Sequence, residues 1–411
     1  MEKPLTVARH HSRSSALRGT RYGLALALVT VALGSARHPP AGGSHPEHAR
    51  RAPAVGVAGG ELGPVSARAQ TPNVSKTTAA APAGGPAHAA PAADDRSFGA
   101  PTAIANLGIY PVTSRSQVDV GPLVTLDDAL AKKQADVRES SEGGKVDQLV
   151  IENKGATPIF VLAGTVVRGG KQDRQIGQDF IIEGNQTTPV DAFCVEHGRW
   201  TAQRNGRITN GHFDSSAGLA TSKVRAAGQY KKSQTEVWSK VSSTNAAHGK
   251  HSASDTLTAT LDDRAVANER AQLVLQIHRV LDAVSPRDDL VGVAYAIDGE
   301  VQGARWFLHH AIFEMNRQKI VDGIALDAIT AKAQAERERK PTSTKPLPAP
   351  SAVDAFVKAV EAQAVAEQRD TPAANVNEYK ESAEAYGSKT MMKRAPAKVG
   401  TKPISRDYLK K

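Results

Sequence analysis

A chain of 411 residues, 40% hydrophobic and 23% charged, has the apolar content of a globular protein and enough length for one large domain or two small ones. Its net charge of +10 includes five basic residues against Glu2 in the first 36 positions, which leaves about +6 scattered over the rest. So mild an excess, without zinc-finger spacing or RNA-recognition aromatics, excludes a dedicated nucleic-acid binder and suits an anionic small molecule or wall polymer. A single cysteine, Cys194, excludes an intramolecular disulfide.

Residues 1–36 read as a secretory signal peptide. Lys3, Arg9, Arg13, Arg18 and Arg21 form the basic region, Tyr22 to Leu33 the apolar run, and Gly34-Ser35-Ala36 a small-x-small cleavage site. The apolar run is too short for the roughly 20 residues that span a bilayer, so no stable membrane span is expected once the signal is removed. A periplasmic or extracellular protein follows from this reading. Residues 37–98 are rich in Ala, Gly, Pro and His and lack aromatics before Phe98. Such a stretch cannot bury enough apolar surface to offset its ordering entropy, so a disordered linker is expected.

From Ala103 the pattern becomes that of a folded domain. Ile104–Val112 reads as a strand and Thr125–Lys133 as a short helix, with Thr125 and Asp128 as a capping box. A strand-rich block follows: 147–153, then 158–168 with a bulge at Gly164, then 174–183 and 188–196 around a Gly184-Asn185 turn. Helical spacing then appears over 229–241, and a polar loop is expected over 242–256. The clearest helix is 261–284, where Val266, Leu273, Val274, Ile277, Val280, Leu281 and Val284 recur at helical spacing. Asp298-Gly299 between two apolar runs predicts a tight hairpin. A helix over 311–335, a Pro-rich linker over 340–350, and a helix capped by Ser351 complete the pattern. The polar tail from Asn375 reads either as closing strands or as loose chain. Strands gathered early and helices later predict an α+β fold. Its core is an antiparallel β-sheet or sandwich over 103–335 with long helices packed on it. Residues 336–411 form an extension that is left open to complete the domain.

The densest chemistry lies in two segments, Arg168-Gly169-Gly170-Lys171-Gln172-Asp173-Arg174 and Cys194-Val195-Glu196-His197-Gly198-Arg199-Trp200. An antiparallel return of 188–196 along 174–183 brings Glu196 beside Arg174, and parity gathers Gln172, Arg174, Cys194 and Glu196 on one side. In a functional reading, Gly169 and Gly170 let backbone N–H groups approach a ligand, and Lys171, Arg174 and Arg199 supply positive charge. Glu196 is then the candidate general base of a hydrolase, with Arg174 or Arg199 as anion stabiliser. In a structural reading, Arg174 and Glu196 are a buried ion pair, Cys194 is a packed small hydrophobe, Gly169-Gly170 is a bulge, and Trp200 is core or a lid. His197 follows the strand on the opposite parity from Cys194, which argues against a Cys–His dyad. His309 and His310 diverge as neighbours and lack a third ligand, so no metal site and no cofactor are expected. Three function classes stay open: a binding module for an anionic ligand, a hydrolase, and an interaction protein without a small-molecule site. The oligomeric state is open as well.

LAGTVVRGGKQDR followed by FCVEHGRW, with GVAYAIDGEVQGARWF later, resembles the ARG and rhodanese-phosphatase-superfamily-associated protein domain, a bacterial family. The resemblance covers roughly residues 103–335 and leaves its reach toward the C-terminus open. Its motifs mark family membership more than chemistry. They point to Gly164, Gly169, Gly170, Lys171, Gln172, Arg174, Cys194, Glu196, Arg199 and Trp200. The family's association with ADP-ribosylglycohydrolases implies a role near ADP-ribose or other NAD-derived nucleotides.

Overall fold

A computed structural model describes residues 95–140, 147–204, 206–340 and 345–411. The leader expected at 1–36 and the linker as far as residue 94 lie outside the described residues. The described residues belong to one compact unit. Its fold is α+β and its sheets are almost wholly antiparallel.

One layer is a nine-stranded antiparallel sheet. Its order is Ser97–Phe98, Leu107–Thr113, Leu290–Ile297, Glu300–Phe307, Ser405–Lys410, Ala385–Met392, Asn375–Glu381 and Glu367–Asp370, with Thr102–Ile104 also paired to Leu107–Thr113. The expected hairpin is its spine. Asp298 and Gly299 both have positive φ, +51° and +77°, as a two-residue turn matched to strand twist requires. The second body is a closed six-stranded barrel: Gln186–Cys194, Gln148–Asn153, Ala135–Glu139, His212–Leu219, Thr165–Gly169 and Arg174–Ile176. Val137, Leu149, Ile151, Val167, Ile176, Val190 and Ala192 belong to its apolar cluster. These alternate along their strands with residues of the other face. A small sheet of Val124–Thr125, Ile159–Val161 and Phe180–Ile182 adjoins it.

Several elements differ from the sequence reading. The strand expected over 158–168 is two strands, broken at Leu162–Gly164. Gly164 has φ +83°, and a Cβ there would lie 2.5 Å from Arg225 Cδ, so the break is a site of close packing. The strand expected over 174–183 is also two, because the chain leaves the barrel after Ile176 and pairs with Ile159–Val161. The strand expected over 188–196 runs Gln186–Cys194. Phe98, placed in the linker, is buried and packs edge-on against Trp306 at 6.1 Å. A helix at Ser222–Gln229 was not foreseen, and the next runs Gln234–Ala247, into the expected loop. Ser351 is not a cap: Ala349 takes that position and Pro350 starts the helix Pro350–Glu361.

The Thr125 hydroxyl accepts the Asp128 N–H at the start of Leu126–Ala131, as the capping pattern demands. Helices Arg264–Asp282 and His310–Arg337 pack together, and the latter also lies against the Leu290–Ile297 and His212–Leu219 strands. The polar tail supplies three sheet strands, and Ser405–Lys410 sits between Glu300–Phe307 and Ala385–Met392.

Asp179, in the segment between Ile176 and Phe180, joins the barrel side to the large sheet. Its Oδ1 accepts from Ala163 N at 2.7 Å and from Arg305 Nη2 at 2.8 Å. Its Oδ2 accepts from Thr390 Oγ1 and Ser405 Oγ at 3.2 and 3.1 Å. Its main-chain carbonyl accepts from the side-chain amides of Asn375 and Asn377, each at 2.9 Å. Asp179→Ala leaves Arg305 short of its nearest carboxylate partner in the interior, so urea denaturation is expected to show a loss of about 3–5 kcal/mol. A loss under about 1 kcal/mol, the range of exposed pairs, would count against this role.

Candidate functional site

The two polar segments meet at one end of the barrel. Cys194 is register partner to Arg174, so the strand return places the start of one segment beside the end of the other. The side-chain amide of Gln172 donates to the carbonyls of Glu196 and His197 at 2.9 and 3.2 Å. Glu196 is buried, and its Oε2 accepts from Asp173 N at 3.0 Å and from Arg199 Nε at 2.9 Å. Its ion pair is with Arg199, at 2.8 Å, and not with Arg174 as the strand geometry suggested. Arg199 is three residues on, in the segment that turns back over the barrel end. There it also donates to the carbonyls of Gly169, Gly170 and Thr201.

Arg174 shares the parity of Ile176, a member of the barrel cluster, and is only 4% exposed. Its Nη1 donates to the carbonyl and side-chain oxygen of Gln172, both at 3.2 Å. Burial lowers its pKa, while the Cys194 thiol and Glu139 beside it act in the opposite sense. Cys194 is fully buried, and burial pushes its thiol up against the pull of the Arg174 guanidinium. That is the setting of a packed thiol, not of a nucleophile, which needs the thiolate.

Asp173, absent from the sequence-derived site, is the hub of the cluster. Its Oδ1 accepts from Gly169 N at 3.0 Å and from Arg204 Nε at 3.2 Å. Its Oδ2 accepts from Arg204 Nη2 and Thr258 Oγ1, both at 3.3 Å. Burial raises its pKa, and the nearby Glu196 carboxylate adds to that, while Arg204 and Arg199 oppose it. Its signal in the sequence was its place within the Gly-Gly segment. Arg204, Thr256 and Thr258 carry no such signal, because only folding brings their loops to the barrel end.

Gly169 and Gly170 have φ of +144° and +46°, and a Cβ on Gly169 would lie 2.2 Å from the His212 carbonyl oxygen. Their N–H groups are spent on Asp173 and on the His212 carbonyl. The pair is therefore a close-packed bulge with no N–H left for a ligand. Lys171 is exposed and its ammonium stands 3.9 Å from Glu139. Trp200 is not a core residue: it is 52% exposed. His197 packs edge-on against Trp238. His309 caps the long helix by accepting the Ala311 N–H, and His310 Nδ1 faces the Leu290 carbonyl at 2.6 Å. Among the described residues, no group of three or more His, Cys, Asp or Glu is placed to hold a metal ion.

The cluster is thus closed: each acid is matched by an arginine, and the carbonyls by arginine or amide donors. Glu196 as placed has no access to a substrate proton. The open site is elsewhere. A groove of about 1180 Å³ runs between the start of Ser222–Gln229, the middle of Gln234–Ala247, the second half of His310–Arg337 and the hairpin tip. Of its lysines, Lys345 pairs with Glu300 at 2.7 Å, Lys332 with Glu269 at 2.8 Å, and Lys340 with Glu338. Among the described residues, Lys223 and Lys240 are held in no ion pair. Desolvation of its ammonium lowers the pKa of Lys223, and Lys240 lowers it further. Asp327 lies on the same wall. Its Oδ1 accepts from Ser222 N at 2.8 Å and its Oδ2 from the Tyr295 hydroxyl at 2.9 Å. Burial pushes Asp327 up, and these two donors pull it down. The sequence offered no sign of this groove, because segments far apart in the chain build it.

The chain belongs to the family of the ARG and Rhodanese-Phosphatase-superfamily-associated Protein domain, whose model matches residues 95–399. That span reaches past the expected 103–335 and takes in most of the C-terminal strands. Neither a curated protein nor a solved structure matches the chain. No helix among the described residues is long and apolar enough to cross a membrane.

Glu196→Ala removes the carboxylate that faces a largely buried Arg199, so urea denaturation is expected to show a loss of roughly 3–5 kcal/mol. A near-neutral change, within about 1 kcal/mol, would mark the cluster as solvent-open instead.

Proposed function

We propose that this member of the family is a binding module for an anionic small molecule, and that the ligand sits in the groove at Lys223 and Lys240. The observation that carries the reading is that pair of ammonium groups. They come from two adjoining helices, neither is held in an ion pair among the described residues, and Lys240 lowers the pKa of Lys223 while Asp327 acts on it in the opposite sense. Two like charges in a partly desolvated groove repel, and a phosphate or carboxylate between them removes the repulsion. The basic Gly-Gly segment singled out in the sequence does not offer this, since its cations are mostly paired. A hydrolase built on Glu196 has less support still, because that carboxylate is held by Arg199 and the Asp173 N–H. We further read residues 1–36 as a leader that takes this binding activity to the periplasm or the exterior. N-terminal sequencing of the exported protein is expected to begin at Arg37, and an intact Met1 start in the cytosol would refute it.

Isothermal titration of the protein with inorganic pyrophosphate and with adenosine diphosphate tests the site. Binding is expected to weaken as salt rises, and to weaken at least about tenfold in the Lys223→Ala/Lys240→Ala variant, which corresponds to about 1.4 kcal/mol. No binding of either probe, or undiminished binding by the double variant, would overturn the reading.

A further inference from the structure

We propose that the small cavity between the Ser222–Gln229 helix and the large sheet is a binding site for one buried water molecule, held by the guanidinium groups of Arg225 and Arg305 and turned toward the carboxylate of Asp407. The site is separate from the anion groove and does not depend on the groove's being occupied.

The cavity lies where two helices meet the sheet. Its walls come from Ser222–Gln229, from His310–Arg337 and from the strands Leu290–Ile297, Glu300–Phe307 and Ser405–Lys410. Leu219, Val293, Ile320 and Ile324 make much of the wall apolar, and Arg225, Arg305 and Asp407 bring charge to it. Arg225 and Arg305 are 7% and 4% exposed. Arg225 commits Nη1 to Asp407, and Arg305 commits Nη2 to Asp179. Nε of Arg225, and both Nε and Nη1 of Arg305, have no hydrogen-bond partner among the described residues. Buried donors that have given up their hydration demand an acceptor, and those of a charged group demand it most. Three such nitrogens, on two side chains that line one cavity, point to an acceptor inside it.

Size and charge then select the acceptor. The cavity holds about 20 Å³. One water needs roughly 10–15 Å³, so a water fits and a polyatomic ligand does not. Arg225 is already balanced by Asp407 at 3.2 Å, and Arg305 by Asp179 at 2.8 Å. A halide would serve the donors but add a negative charge beside Asp407 and Asp327, in an interior where repulsion is weakly screened. A metal cation would meet guanidinium nitrogens that carry no lone pair to offer it. Water is neutral, and it both accepts and donates. It takes N–H groups of Arg225 and Arg305 and gives a proton to Asp407, which stands 3.8 Å from Arg305. Ser222 and Asp327 belong to the walls of both cavity and groove. The water therefore sits behind the groove wall and ties the helix that carries Lys223 to the two strands that carry Arg305 and Asp407.

The test is X-ray diffraction from crystals of the full chain, one native and one soaked in sodium bromide and measured at the bromine absorption edge. A single peak of water height is expected in the cavity, about 2.7–3.2 Å from a guanidinium nitrogen of Arg305 and from Nε of Arg225, with no bromine signal on it. A bromine signal at that position would make the site a halide site and overturn the proposal. A cavity without density would overturn it as well. No substitution is involved, so neither result hangs on how a variant folds.

Discussion

Asp179 and Arg305 meet in the interior at 2.8 Å, and the joining of barrel to sheet depends on that meeting. Both charges are buried away from bulk water. Asp179 takes hydrogen bonds from Ala163, Thr390 and Ser405, which belong to three separate stretches of chain. Arg305 stands 3.8 Å from Asp407, and Asp407 is paired at 3.2 Å with Arg225. Two acids and two arginines thus form a buried chain from the segment after the barrel strand, through the large sheet, to the helix that opens the groove. Polar groups buried in this way are costly if any one is left unpaired, so the network specifies one relative placement of its elements and penalises others.

The cluster at the barrel end and the groove differ in charge accounting. At the barrel end, Asp173 and Glu196 face Arg199 and Arg204, and the carbonyls of Gly169 and Gly170 absorb further donors of Arg199. The result is a lock over the barrel, with Arg174 and Cys194 sealed beneath it. In the groove, Glu300 is paired with Lys345 and Asp327 is held by the Ser222 N–H and the Tyr295 hydroxyl, while Lys223 and Lys240 are in no ion pair among the described residues. A dense group of polar residues in a family motif is therefore a mark of folding constraint here, and the proposed binding site draws instead on the sparse charges of the groove.

Much of the local structure was legible in the sequence. The Asp298-Gly299 hairpin, the Thr125 cap and the apolar face of Arg264–Asp282 each depend on residues within one or two turns of one another, so propensity and periodicity report them directly. The α+β class follows from the order of such elements, and family membership from the two motifs. The convergence of Gln172 with Glu196 was readable too, because a single antiparallel return produces it. Full interruptions were not readable. Gly164 was legible as a bulge but not as a strand end, and the break at Gly177-Gln178-Asp179 was not, since their partners Arg225 and Arg305 lie far along the chain.

The sequence by itself determined the α+β class, the principal helices, the hairpin and the family, because these rest on short-range patterns of apolar residues, glycines and caps. Only the tertiary structure decided that Glu196 pairs with Arg199 rather than Arg174, that a barrel closes beside a nine-stranded sheet, and that the polar tail completes that sheet. It alone also brought Lys223, Lys240 and Asp327 to one groove. Each of these outcomes turns on which distant charges and strand edges meet. Those meetings are settled by the global arrangement that leaves the fewest buried groups unpaired.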